Sequence, residues 1–294
     1  MYEVPLEIKE FIKGHFANCN AQLSYDLSVF PGIREESLDN LFISHFSRTP
    51  GPIKFDPNWT LRIDAHFIGG GRHYYNWEVA DIGLMIIFRR KGRIIRSKMV
   101  FLQSKKLYPT SIKHIPTDPY FRMGMGRLLV TEEEHLEMVK SRTVKFEESS
   151  KYKVFKKNNE QQKAMSSFQE RFDVTMYYLF YNPLVLPHTI KSPLEERPEM
   201  TENKIGCRVV TKKYLDEALE TYSNNYIPSY GDIKYMLAGD YSNVEHTAGW
   251  RLEYFAIDLM MGCKEGIIDD SPNFRTHFKS FYHKNLVLFP QLYQ

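Results

Sequence analysis

Residues 79–106 read VADIGLMIIFRRKGRIIRSKMVFLQSKK. Two apolar runs flank a short basic segment, RRKGR, that holds a glycine. After Asp81 the first run, 79–89, is apolar on both faces, which suits a central strand covered on both sides. The second run, 94–106, is apolar around Met99–Leu102 and closes on Gln103-Ser104-Lys105. Residues 90–93 supply a turn, so the stretch is read as a buried hairpin. Asp81 opens one strand and Gln103 and Lys105 end the other.

Register decides whether these residues meet. In a hairpin the numbers of opposed residues sum to a constant. A three-residue loop at 91–93 opposes residues 90 and 94, and carries Asp81 opposite Gln103. Gln103 and Lys105 share a face because the strand period is two. A two-residue loop would turn Asp81 to the wrong face, and a bulge would restore it. A carboxylate and a carboxamide oxygen are hard ligands suited to Mg²⁺ or Mn²⁺. A lysine beside them can orient a water or stabilise charge developing on a phosphate. Glutamine is neutral, so a second acid is expected, with Glu36 on the preceding helix or Glu78 as candidates.

Outward from the hairpin, residues 5–17 and 35–47 carry helical apolar spacing, the second opening on two acids. Residues 59–68 alternate as a strand ending at a triglycine. Residues 107–127 are punctuated as a loop, 131–141 start a helix at Thr131, and 145–163 read as a solvated stretch. Residues 161–181 are expected to form one long helix stopped at Asn182-Pro183. A strand at 206–210 and helices at 211–222, 250–266 and 274–284 complete the pattern. The expected fold is α/β: a mixed central sheet flanked by helices, with a largely helical C-terminal extension. The division is a core over 1–130 and a mostly helical part over 131–294 packed on it as one unit.

Several chemistries are set aside. Cys19, Cys207 and Cys263 are widely spaced and form no CxxC pair, which argues against disulfides or zinc and for a reducing, cytoplasmic compartment. The N-terminus has no signal-peptide pattern, and no apolar run reaches the roughly 18 residues of a membrane span. Gly69-Gly70-Gly71 lacks the GK[ST] of a P-loop, and no HExxH occurs. Ser104 and Lys105 are adjacent in a strand, so they face apart and make no Ser-Lys pair.

A helix bearing Glu36, a strand opening on Asp81 and a strand ending in QSK at 103–105 resemble the PD-(D/E)XK, or restriction-endonuclease-like, superfamily. The glutamine is similar to the Q-x-K branch of Mrr-like restriction enzymes and anti-phage nuclease domains. The resemblance covers roughly residues 30–110. It implies metal binding by Asp81, Gln103 and Glu36, and a catalytic role for Lys105. It also implies a Mg²⁺-dependent nuclease acting on DNA in a restriction or defence system, alone, as a homodimer or with a partner protein.

The net charge of +3 says little, but residues 89–106 hold eight Lys or Arg and no acid. Arg89, Arg90, Lys91, Arg93 and Lys106 are therefore candidates for phosphate contact. Nothing in the pattern indicates base readout. The competing reading is a nuclease-like fold that binds nucleic acid or protein without catalysis.

Overall fold

The structure is a computed structural model that describes residues 4–49, 51–68, 80–111, 142–153, 155–157, 159–172, 174–192, 199, 202–237, 249–257 and 267–269. Helix α1 spans Leu6–Val29 and α2 spans Glu35–Ser47. The strands β1 (Ile53–Lys54), β2 (Trp59–Phe67), β3 (Ile82–Arg90) and β4 (Arg93–Lys106) follow. After β5 (Thr110–Ser111) and β6 (Arg142–Phe146) come α3 (Glu160–Phe172), β7 (Met176–Tyr181) and β8 (His188–Ser192). The described chain ends with β9 (Arg208–Thr211), α4 (Lys212–Ala218), α5 (Tyr230–Leu237), β10 (Trp250–Arg251) and β11 (Ile267–Asp269).

The main sheet runs β1-β2-β3-β4-β7-β9-β10, and β11 pairs with β4. All its pairings are antiparallel except β4 with β7, which are parallel. A smaller sheet, β5-β6-β8, lies apart from it. Side chains alternate across β4. Phe101 meets Phe168 of α3 on one face, while Ser104 reaches Asp39 of α2 on the other. The fold is thus mixed α/β with helices on both faces of the central sheet.

The hairpin forms by a route the simplest register did not take. Its turn has two residues, Lys91 and Gly92, both with positive φ (48° and 77°), as the twist of a tight hairpin requires. Arg90 pairs with Arg93, so the ladder starts in the register that would misplace Asp81. A bulge beyond Phe88 then inserts one extra residue in β4, and Phe88 pairs with Arg96. From there to Ile82–Leu102 the register is the one that carries Asp81 opposite Gln103.

Three expectations need correction. The single helix over 161–181 ends at Phe172, and Met176–Tyr181 is a strand buried at all six positions. A short apolar run of this kind suits either state, and the free edge of β4 decides it in favour of the aromatic-rich strand. Among the described residues the second half is therefore not largely helical, because β7, β9, β10 and β11 all join the main sheet. The stretch 145–163 is not simply solvated either, since Tyr152 and Phe155 are core residues. The expected helices at 131–141 and 274–284 lie outside the described residues.

Helix α1 runs 12 residues beyond its expected end at Ala17. Its core face continues through Cys19, Leu23 and Leu27, and beside it runs a buried polar stripe of Asn20, Ser24 and Ser28. These polar groups are paired. Asn20 Oδ1 accepts from the Cys207 backbone N–H at 2.7 Å, and Ser28 Oγ accepts from Leu184 N–H at 3.0 Å. Among the described residues no helix is long and apolar enough to cross a membrane.

Candidate functional site

At the end of the hairpin away from its turn, β3 stops at Ile82 and Asp81 sits in a bend just before it. Its backbone N–H still donates to Leu102 O at 3.0 Å. Next along β4, Ser104 N–H finds the Asp81 side chain, with Oδ2 accepting at 2.8 Å. Ser104 Oγ–H lies 2.8 Å from the same oxygen, and the Gln103 carboxamide N–H₂ donates to it as well. Asp81 therefore holds the edge where the ladder ends and is in contact with Gln103, as the register demands.

Helix α2 brings the further acids. Glu35 and Asp39 are one turn apart, in phase with the buried Leu38, Phe42 and Phe46. Asp39 Oδ2 lies 3.0 Å from Ser104 Oγ, and its Oδ1 accepts from Tyr181 O–H at 2.8 Å. Glu35 Oε2 accepts from the Lys106 backbone N–H at 2.7 Å, and Oε1 lies 3.6 Å from the Lys105 ammonium. Three carboxyls thus surround the QSK segment, and its own Lys105 pairs with one of them.

Burial sets the proton affinities. Asp39 is pushed up to about 7, first by desolvation and then by the Asp81 charge. Glu35 moves upward for the same leading reason, against the pull of Lys105. Lys106 is lowered to about 8 by burial, although Glu35 opposes this. Burial and the neighbouring Asp39 carboxylate raise Tyr181.

The expected site residues therefore divide. Asp81 and Gln103 touch, and Lys105 joins the group through Glu35. Glu36 does not, because it is exposed on the flank of α2 and lines an open cleft instead. A helix turns about 100° per residue, so one position decides which acid faces the sheet. Glu78 lies outside the described residues. The signal for Asp39 was available in its place between Leu38 and Phe42. Tyr181 could not be found while its segment was taken as helix.

The basic candidates divide as well. Lys91 and Arg93 are exposed at the turn, and Arg89 and Arg90 are half-buried beside it. The nine residues of β3 separate that turn from Asp81, so it lies roughly 30 Å away. Lys106 is at the site, but its ammonium caps the carbonyls of Pro31, at 2.8 Å, and Ile33.

Gln103 itself is 1% exposed, and its Oε1 has no hydrogen-bond partner. A buried carbonyl oxygen left unpaired is costly. With its amide nitrogen on Asp81, turning the carboxamide over would set two oxygens against each other. A cation held between them would stabilise that arrangement. The oxygens of Asp81, Asp39 and a turned Gln103 are of the kind Mg²⁺ or Mn²⁺ prefers, although among the described residues no three His, Cys, Asp or Glu side chains converge as a metal site.

No protein-family model matches the sequence, and neither the curated proteins nor the solved structures supply a match.

Proposed function

We infer that the chain is a metal-dependent phosphodiesterase that hydrolyses nucleic acid, DNA foremost. The observation that carries this reading is buried Gln103, whose carboxamide N–H₂ donates to Asp81 while its Oε1 is left without a hydrogen-bond partner. Asp81, Gln103 and Asp39 would hold the cation, with Asp39 in the role expected of Glu36. A divalent ion bound there supplies Lewis-acid activation of water and neutralises phosphate charge. The chain's own groups do the rest. Ser104 and Tyr181 fix the Asp39 carboxyl, and Ser104 also anchors Asp81. The Lys105 ammonium, buried and held by Glu35, would balance charge that develops on a phosphate oxygen brought up to it. A cytoplasmic restriction or anti-phage role comes with the sequence resemblance.

One observation favours the alternative of a non-catalytic binding module. Asp81 Oδ2 already accepts from Gln103, from the Ser104 backbone and from the Ser104 hydroxyl, as a structural anchor would. Plasmid nicking in Mg²⁺ by the wild type, Asp81→Ala and Lys105→Ala separates the two. The nuclease reading expects cleavage that EDTA abolishes and that each substitution lowers by at least a hundredfold. Equal activity in all three proteins, or none with any nucleic acid, overturns it.

A further inference from the structure

Next to the acid cluster opens a cleft of about 530 Å³ between the α1–α2 turn and the small sheet. It shares Glu35 and Lys106 with the cluster, so whatever fills it lies against the proposed site. Its size falls in the usual range for a small-molecule site, roughly 300–1,000 Å³. The lining is of two kinds. Pro31, Tyr108 and Pro109 offer flat apolar surface, and Arg34, Lys106 and Lys153 offer positive charge. The Lys106 and Lys153 ammonium groups lie over the Tyr108 ring, 4.7 and 5.4 Å from its centre, so a base stacks on it by displacing the exposed Lys153. Arg34 and Lys153 are exposed side chains, free in shape to follow a ligand. Lys106 is committed to the carbonyls below it.

An aromatic ring among cations is the pairing that binds a base together with its phosphate. A base in an intact duplex is stacked on both faces and cannot give one to Tyr108. The two acids of the lining, Glu35 and Glu36, stand on the α2 side, and Lys153 stands on the other. A phosphate is therefore drawn to the Lys153 side.

We propose that this cleft seats one unpaired nucleotide of a nucleic-acid strand, its base on Tyr108 and its phosphate at Lys153, so that the protein selects single-stranded or frayed substrate over blunt duplex. The idea deepens the nuclease reading, since the seat adjoins the QSK segment. Its test does not depend on cleavage. Fluorescence anisotropy in EDTA compares a labelled 12-nucleotide single strand with a blunt hairpin duplex, each as DNA and as RNA. The single strand is expected to bind at least tenfold more tightly. Tyr108→Ala and Lys153→Glu should each weaken it by roughly ten- to a hundredfold, while Tyr108→Phe keeps the ring and the affinity. Lys153 is exposed, so its substitution reports even if Tyr108→Ala fails to fold. Equal binding of duplex and single strand overturns the proposal. So does single-strand binding that survives either weakening substitution, or that is lost in a folded Tyr108→Phe. A protein that prefers single strands in EDTA yet cleaves nothing in Mg²⁺ overturns the nuclease reading alone.

Discussion

Replacing Asp39 with asparagine removes one titrating proton from the centre of the site, and its effect can be worked out. Ser104 has one hydroxyl hydrogen, but its Oγ lies 2.8 Å from Asp81 Oδ2 and 3.0 Å from Asp39 Oδ2. Both contacts are hydrogen bonds only if one carboxyl is protonated, and Asp39, raised from 3.8 to about 7, is the one that holds the proton. A carboxyl whose folded pKa lies above its unfolded value stabilises the fold fully at low pH. That contribution is lost as pH rises from about 4 through about 7. Between pH 5.5 and pH 8 the loss is about 2 kcal/mol, at 1.4 kcal/mol per pH unit while only the folded form holds the proton. For a chain of 294 residues that is a fall of roughly 3 °C in melting temperature.

The assay is thermal denaturation without divalent ions at pH 5.5, 7 and 8, for the wild type and Asp39→Asn. Glu35 shifts in the same direction, so the difference between the two proteins isolates Asp39. The asparagine protein should be flatter by about 2 kcal/mol across the range. Mg²⁺ should stabilise the wild type more at pH 8 than at pH 5.5, because it competes with the proton. Parallel pH profiles for the two proteins would refute the reasoning that Asp39 is the protonated partner.

Two further outcomes test the scaffold. Asn20→Ala strips the Cys207 N–H of its acceptor and the buried Glu253 carboxylate of a donor at 2.8 Å, so urea denaturation should show a loss of about 2–4 kcal/mol. An unchanged midpoint would mean that the polar stripe of α1 is not structural. Gly92→Val places a branched residue at φ 77° with open space around its Cβ. The cost is therefore backbone strain alone, about 1–2 kcal/mol by thermal melting. A neutral result would argue against the two-residue turn.

Much of this was legible in the chain itself. The paired apolar runs around RRKGR read as a buried hairpin, since strands open to solvent on one face would alternate. The QSK segment at the strand end and Asp81 at the strand start followed from the same pattern. Helix α2 was bounded at Glu35–Ser47 by its acids and apolar phase. That phase also held the correction to Glu36, because Asp39 stands among the buried residues and Glu36 does not.

The rest needed tertiary contacts. Nothing local distinguishes a three-residue loop from a two-residue turn followed by a bulge, yet side-chain facing inverts with each residue of slip. The bulge beyond Phe88 is what brings Asp81 to Gln103. MYYLFY becomes a strand because β4 offers it an unfilled parallel edge, a partner more than 70 residues away in sequence. The basic segment looked like part of the site because it is close in sequence, but nine extended residues carry it to the far end of the sheet. Local pattern determined which residues line each strand and helix. Long-range pairing determined which of them meet, because contact across a sheet depends on register, and register is settled by the whole set of neighbours.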